Sequence, residues 1–252
     1  MQIYGFTGHG GPDVASLMDA PEPVVGPGRV LIEMLATSVN PGDLNTREGT
    51  NTFEVNFPMA MGREAAGRVL AFGEDVDHVA VGDLVFGSAA SGHGSFGHRV
   101  LLDAVSTTPV PAGLDLLHAA CIPVAYATAH DVLDHLALPR GATMVVIGAG
   151  GGVGTAVTSL ARARGLRIVG VASAGKRDVV TRLGGTHVES GPGWVERVRD
   201  ITEGPAAVFD LVGGEVLRQG AQLGGRLISV ADPALAGEYG GSGIERRRTR
   251  AV

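Results

Sequence analysis

The 252-residue sequence predicts an α/β protein in which a mostly-β domain precedes a doubly wound parallel sheet. From Thr143 onward, short apolar runs rich in β-branched residues alternate with segments of helical periodicity, as in a parallel sheet covered by helices. Before about Leu114, short strand-like runs are separated by turns rich in glycine and proline. We therefore expect two domains, 1–115 and 116–252.

The elements follow in chain order. In the first domain the predicted strands are Val30–Ala36, Gly67–Gly73, Asp83–Phe86 and His98–Leu102. A helical segment, Leu114–Leu138, carries the chain into the second domain. The strands of the parallel sheet are Thr143–Ile147, Leu166–Val171, Thr186–Val188, Ala206–Val212 and Arg226–Val230. Helical spacing of apolar residues between these strands predicts the covering helices.

A glycine-rich turn, GAGGGVG, follows the first strand of the parallel sheet and opens a helix. Glycine lets the backbone approach a pyrophosphate, and a helix N-terminus offers unpaired N–H groups and a positive dipole end. The match to G-x-G-x-x-G is imperfect, because Ala149 stands first, before Gly151 and Gly154. A tight turn without a ligand is the alternative. The residues predicted to bind a dinucleotide here are Gly148, Gly151, Gly152, Val153 and Gly154.

The end of the second parallel strand favours NADP(H) over NAD(H). NAD sites usually carry Asp or Glu there, on the ribose 2′-hydroxyl. This sequence instead has Ser173 followed by Lys176 and Arg177, so that a hydroxyl and two cations are available to a 2′-phosphate. The alternative is that the two cations are solvated charges at the start of the next helix.

Composition narrows the class of protein. A net charge of −6 and a pI near 5.7 do not favour nucleic-acid binding. One cysteine, Cys121, excludes a disulfide framework within this sequence and a Cys₄ zinc site. The first residues lack the features of a signal peptide, and we find no run of about eighteen apolar residues. We expect a cytoplasmic protein without a membrane or nucleic-acid partner.

Several stretches, in order, resemble one known family. They are NPGDLNTREG, MGREAAGRVLAFGEDV, GSFGHRVLLDA, IPVAYATAHDVL, GAGGGVG and FDLVGG. The sequence resembles a zinc-independent medium-chain dehydrogenase/reductase of the quinone oxidoreductase type, from Met1 to about Leu235. This resemblance implies a GroES-like first domain and a Rossmann-type NADP-binding second domain. It also implies hydride transfer from NADPH to a small-molecule quinone or α,β-unsaturated carbonyl.

The resemblance also indicates which residues stand at the positions of the zinc ligands in zinc-dependent relatives. Zinc-dependent relatives carry ligands at the positions of Asn40, Arg63 and Val124, and none of these three residues is a usual zinc ligand. His93 and His98 lie in a glycine-rich loop, where we expect them to face solvent rather than restore a site. The expectation is therefore that no metal is bound.

By the same resemblance, Asn40 lines the nicotinamide and substrate cleft, and Asp43 is a nearby polar group. We take these two as the candidate catalytic residues, although Asn-Pro-Gly-Asp is also a good turn sequence. Asn40 also counts among the cofactor-binding residues. The residues implied to border the nicotinamide are Thr128, Leu211, Val212, Val230 and Ala231. For those at strand ends, ordinary packing is the alternative.

The resembled family continues beyond the point where this sequence stops. We therefore expect at least one βα unit to be absent, leaving an incomplete sheet with an unpaired edge and a weakened homodimer. The basic run Arg246–Arg248 and Arg250 precedes the lost strand or forms a solvated tail; a nucleic-acid arm is the less favoured interpretation. Two other functions stay open, namely a non-catalytic NADPH-binding protein and an enoyl reductase acting on carrier-bound thioesters.

Overall fold

The computed structural model describes residues 1–244, so the basic run Arg246–Arg248 and Arg250 lies outside the described residues. The chain divides into two compact units, Met1–Val124 and a second unit that begins at Ala125. This division falls within the helical segment that we expected to lead into the second domain. The family resemblance implied a GroES-like unit followed by a Rossmann-type unit, and the observed sheets have these architectures.

The first unit contains two antiparallel sheets. Its strands are β1 (Gln2–Phe6), β2 (Ala15–Asp19), β3 (Arg29–Thr37), β4 (Met59–Ala60), β5 (Glu64–Phe72), β6 (Leu84–Ser88), β7 (Arg99–Asp103) and β8 (Thr108–Pro109). The strand orders are β2-β1-β4 and β7-β3-β5-β6-β8. Alternate residues of the long strands, such as Val30, Ile32, Val69 and Val85, are buried in the core of the larger sheet. Strands β5 and β3 therefore anchor the loops at their ends in the core of this sheet.

Helix α1 (Pro41–Glu48) corrects our interpretation of Asn-Pro-Gly-Asp as a turn. Asn40 has extended backbone angles and is the N-cap, Pro41 is the first helical residue, and Gly49 ends the helix at φ 73°. Proline is well suited to the first helical position because its missing N–H would have no partner there. The motif therefore begins a helix, and its two polar residues stand at the helix N-terminus.

A continuous helical run, Leu116–Leu136, comprises α2 (Leu116–Ala119), a π-helical segment (Ile122–Tyr126) and α3 (Ala127–Leu136). By length and composition it could cross a membrane, with a mean hydropathy of 1.2, which differs from our expectation. The run passes that test because it carries only two acidic residues, Asp131 and Asp134. Half of it is buried inside the protein, as in the core helices of many globular proteins, so this single run is a weak indication of a span.

The second unit is a five-stranded parallel sheet with helices on both faces. Its strands are β9 (Thr143–Ile147), β10 (Arg167–Ala172), β11 (Thr186–Glu189), β12 (Ala207–Asp210) and β13 (Arg226–Ser229). The connecting helices are α4 (Gly152–Ala163), α5 (Arg177–Arg182), α6 (Trp194–Arg199), α7 (Gly214–Ala221) and α8 (Pro233–Glu238). The strand order β11-β10-β9-β12-β13 reverses direction at β9, which is where doubly wound folds bind nucleotides.

The two faces of the parallel sheet bury separate cores. On β9, Met144 and Val146 pack into one core, while Val145 and Ile147 pack into the other. Because successive side chains of a strand point to opposite faces, an uninterrupted apolar strand is what a sheet covered on both sides requires.

The edge of β13 is partly paired, contrary to our expectation of an unpaired edge. Ser229 N–H donates to the Ser242 carbonyl at 2.9 Å, and Ser242 N–H donates to the Leu227 carbonyl at 3.0 Å. Ser242 therefore forms a parallel bridge with Ile228. The chain returns to this edge after α8, so β13 has a neighbour on both sides at this point.

Candidate nucleotide-binding turn and polar cluster

The glycine-rich turn connects β9 to α4 with a backbone conformation that depends on glycine. Gly148 lies at φ 85°, in the left-handed region, and its N–H donates to the Val171 carbonyl at 2.9 Å. Gly151 is the N-cap of α4, and no side chain in residues 1–244 caps this twelve-residue helix. The first N–H groups of an α-helix have no carbonyl partner within the helix. They are therefore available to an anion.

The glycines differ in what surrounds them. A Cβ on Gly154 would lie 2.3 Å from the Gly148 carbonyl oxygen, so a side chain there would collide with backbone. A Cβ on Gly152 would meet no atom within 4 Å, so the space beside it is open. A narrow turn with open space at the helix N-terminus fits a pyrophosphate.

Ala149 explains the departure from the usual glycine pattern. Its side chain is fully buried in the core shared with α3 and α4. It packs so closely to β10 that a Cβ on Gly170 would lie 2.9 Å from its methyl group. Because the methyl group points into the core, alanine at this position leaves the outer face of the turn clear.

The loop after β10 brings Lys176 to the glycine-rich turn. A Cβ on Gly150 would lie 2.6 Å from Cβ and Cγ of Lys176, so the lysine stem crosses directly over this glycine. Ser173, Lys176 and Arg177 are all exposed. His187 Nε2 lies 3.1 Å from the Ala172 carbonyl oxygen and 3.3 Å from that of Ser173, and so braces the start of the loop. The hydroxyl and the two cations are thus presented to solvent beside the turn.

The loops after β12 and β13 are held by a buried acid that our sequence analysis missed. Asp210 is completely buried and accepts hydrogen bonds from Val212 N–H at 3.1 Å and Gly213 N–H at 3.0 Å. It also accepts from the Ser229 hydroxyl at 2.7 Å. Leu211 lies against the position of a Gly148 Cβ, and Val212 is half exposed. Val230 is partly buried and Ala231 is exposed. All four predicted strand-end residues therefore follow strands joined through Asp210.

A second buried acid, Glu64, organises a polar cluster in the first unit. Glu64 is 1% exposed and begins β5. Its Oε1 accepts hydrogen bonds from Asn40 Nδ2 at 2.8 Å and from the Ser38 hydroxyl, and its Oε2 accepts from Val124 N–H at 2.7 Å. Asn40 Nδ2 also donates to Ser38 Oγ at 3.0 Å. The amide group of Asn40 is thereby fixed with both N–H groups directed into the cluster.

Asp43 lies beneath the same turn. It is 2% exposed, and its Oδ2 accepts the Asn40 backbone N–H at 2.7 Å, while Oδ1 is buried without a hydrogen-bond partner among the described residues. Burial raises the pKa of Asp43 from 3.8 to about 6, against the opposing effects of the Asn40 hydrogen bond and the Arg63 charge. A side chain this buried acts on Asn40 rather than on a molecule in solvent.

The remaining predicted positions lie as follows. Thr128 is buried on α3. His93 and His98 are exposed, as we expected of loop histidines. Within residues 1–244, no three His, Cys, Asp or Glu side chains are grouped so as to hold a metal ion. Arg63 packs its guanidinium carbon 3.3 Å from the centre of the Phe53 ring.

One unit is a parallel α/β sheet with a helix N-terminus lined by glycines. The other is a β unit that holds a fixed amide and buried acids. Together these features define a dinucleotide-dependent class of protein. Two sequence families match the chain. An alcohol dehydrogenase GroES-like domain matches residues 26–112, and a zinc-binding dehydrogenase domain matches residues 152–234. The chain belongs to the medium-chain dehydrogenase/reductase family, and it is similar to that family's quinone oxidoreductases.

Individual relatives agree with this assignment. The quinone oxidoreductase of Sus scrofa is 34% identical over 189 residues, which cover 74% of this chain and 56% of that protein. The structure of the quinone oxidoreductase from Coxiella burnetii matches with a TM-score of 0.89 and 26% identity, covering 99% of this chain and 84% of that chain. A mycobacterial protein complexed with NADPH matches with a TM-score of 0.82 and 30% identity, covering 91% and 73%. This chain spans little more than half the length of the pig enzyme.

Proposed function

We propose that this protein is an NADPH-dependent oxidoreductase that reduces a quinone or an α,β-unsaturated carbonyl compound without zinc. The observation that carries the proposal is the turn at the start of α4. It combines open space at Gly152, unpaired N–H groups and the adjacent stem of Lys176. The NADPH bound by the mycobacterial relative supports the same cofactor here. The proposed location is the cytoplasm.

The residues of the second unit would divide the binding of NADPH. The N–H groups of Gly152, Val153 and Gly154 would bind the pyrophosphate. Ser173, Lys176 and Arg177 would bind the 2′-phosphate, since charged donors are the strong partners of phosphate. The loops fixed by Asp210 would border the nicotinamide. When bound, NADPH supplies the hydride.

The residues of the first unit suit a conjugated acceptor. Glu64 and Ser38 accept the two amide N–H groups of Asn40, and Asp43 accepts its backbone N–H, so that the Asn40 side chain is held in a fixed orientation. Without a Lewis acid, dehydrogenation of a simple alcohol is hard, because the alkoxide lacks a stabilising charge. A quinone or enone spreads the developing charge over its own conjugated oxygen, so a few fixed donors suffice.

The cofactor preference has a direct test, because Lys176 is the only lysine of the 252 residues. An amine-directed label therefore reports on this side chain and the N-terminus alone. We expect NADPH, but not NADH at equal concentration, to protect Lys176 from labelling.

We expect Lys176→Ala to lose tenfold or more in NADPH affinity, about 1.5–3 kcal/mol, with little change for NADH. Arg182→Ala, an exposed cation at the end of α5, is the matched control. Equal affinity of the parent chain for both cofactors would contradict the proposal.

An acceptor panel separates the three candidate activities. Oxidation of NADPH with free quinones or enones supports the proposed function. Turnover only with carrier-bound enoyl thioesters would instead assign an enoyl reductase. Tight NADPH binding without turnover on either class would assign a nucleotide-binding protein without catalysis.

A further inference from the structure

Arg63 occupies a fixed position beside the polar cluster, and the proposed function has so far left it unused. It lies between Gly62 and the buried Glu64, and its backbone carbonyl accepts from Ala89 N–H at 2.9 Å. The Cδ of Arg63 lies 3.6 Å from the position of a Gly42 Cβ, in the first turn of α1. Its guanidinium carbon lies 3.3 Å from the centre of the Phe53 ring. Backbone and ring together hold the side chain next to Asn40 and Asp43.

The space beside Arg63 has the size of one water molecule. A cavity of about 20 Å³ is lined by Phe53, Glu54, Met59, Arg63, Ala89, Ala90, Ser91, Gly92 and His93. A cavity of this size admits a single water molecule or an atom group of similar volume. It does not admit a quinone ring, which would have to remain outside with only an oxygen directed inward.

Arg63 supplies the permanent positive charge of this cavity. Although His93 is exposed at its outer edge, burial of the rest of its ring lowers the pKa of His93, and the charge of Arg29 lowers it further, which favours the neutral imidazole. Glu54 accepts a hydrogen bond from the Ser91 hydroxyl at 2.8 Å. The guanidinium group does not lose its proton in proteins. Among the residues that line the cavity, Arg63 is therefore the one lasting cation.

We infer that Arg63 is a catalytic residue whose guanidinium group binds the carbonyl oxygen of the acceptor and stabilises the negative charge that forms on it. This inference rests on the proposed function. In that reaction the acceptor gains a hydride at carbon, its conjugated π electrons move onto the oxygen, and a proton from water completes the reduction, while NADPH is oxidised to NADP⁺. A donor aimed at developing charge is among the largest single contributions to such reactions.

The first test needs no turnover. The probe is 4-nitrophenol, whose phenolate carries its charge on an oxygen of the kind proposed to enter the cavity, and whose absorbance reports ionisation. In the parent chain we expect the pKa of bound 4-nitrophenol to fall below its solution value. In Arg63→Gln we expect that fall to disappear, and in Arg63→Lys to persist in part. The matched control is Arg68→Gln, an exposed arginine of β5 that bonds only the Gly82 carbonyl among the hydrogen bonds described. A parent chain that does not bind the phenolate in preference to the phenol would overturn the inference.

The second test uses a series of quinones and enones that differ in electron deficiency. We expect Arg63→Gln to lower kcat by roughly 10²–10³-fold while NADPH affinity changes less than about twofold. The dependence of rate on electron deficiency should steepen, because the acceptor alone must then accommodate the charge. Parent turnover that Arg63→Gln leaves unchanged would overturn the role of Arg63 alone. A parent chain that reduces none of the acceptors would overturn the proposed function itself, and melting curves of each variant identify any that fail to fold.

Discussion

The nucleotide-binding turn and the polar cluster around Glu64 are assembled in opposite ways. The turn is made by the backbone of seven consecutive residues, Gly148–Gly154. Its narrow shape and the open space beside it depend on glycines, which have no side chain. The cluster is made by side chains and one backbone N–H from stretches far apart in sequence, which meet at Glu64. The turn is therefore sensitive to added atoms, and the cluster to removed ones.

The largest expected effect is at the third glycine of the turn. Gly154→Ala would place a methyl carbon 2.3 Å from the Gly148 carbonyl oxygen and 2.6 Å from the Cα of Ala149. Because both are backbone atoms that cannot move aside, we expect a loss of stability above about 3 kcal/mol and NADPH affinity reduced more than about 100-fold. Thermal melting and a fluorescence titration measure the two effects.

Two other glycines serve as matched controls for this prediction. Gly152→Ala should melt like the parent, because its methyl group meets no atom within 4 Å, yet bind NADPH poorly because that space is the proposed ligand space. Gly237→Ala, in α8 and equally open, should change neither. A Gly154→Ala variant as stable as Gly237→Ala would show that the helix and the turn are less closely packed than described.

The next effect is at the centre of the cluster. Glu64→Ala removes the acceptor of Asn40 Nδ2, the Ser38 hydroxyl and Val124 N–H, and buried donors left unpaired cost about 1–3 kcal/mol each. We expect the free energy of unfolding to fall by about 3–5 kcal/mol, measured by denaturant unfolding. Glu64→Gln should not restore this stability, because the N–H groups of the new amide would point at groups that are themselves hydrogen-bond donors. Glu33→Ala, an exposed acid on β3, is the control. Similar losses for both variants would mean that the cluster contributes little.

The smallest effect depends on pH and concerns Asp43. Its pKa is raised from 3.8 to about 6, so the folded chain holds a proton that the unfolded chain releases between these values. The bound proton therefore stabilises the folded chain fully below pH 3.8, and this stabilisation is lost as the pH rises to about 6. For such a shift in pKa, the free energy of unfolding falls by about 3 kcal/mol over this range. Relative to Asp43→Asn, whose amide cannot titrate, the parent should therefore lose stability over this range. Parallel pH profiles for the two proteins would contradict the buried, unpaired state of Oδ1.

The same contrast explains what could be predicted from the sequence. The bounds of β9 were correct to the residue, and the turn after it was recognisable, because an apolar strand, glycines and a helix are consecutive signals. Glu64 could not be found in this way. An acid in GREAAGRV is normally assigned to the surface, and only the fold brings Asn40 and Val124 to it. Asp210 was missed for the same reason, since its partners follow two different strands.

Helix α1 was missed although its signals were present. Asparagine before proline is both a turn signal and the start of a helix, and the residues that follow, LNTRE, offer little apolar periodicity to decide between them. The pairing of Ser242 with β13 was missed because a single bridging residue in a glycine-rich stretch has no strand-like pattern.

The bond from Val124 to Glu64 has a consequence for how this protein tolerates mutation. The donor is a main-chain N–H in the π-helical segment, directly after Pro123, which has no N–H of its own. Every amino acid except proline supplies the same donor. The bond to the buried acid therefore does not depend on which side chain stands at position 124, whereas the bonds from positions 38 and 40 depend on the side chains there. In a substitution library at position 124, proline should therefore be the one replacement that removes this hydrogen bond.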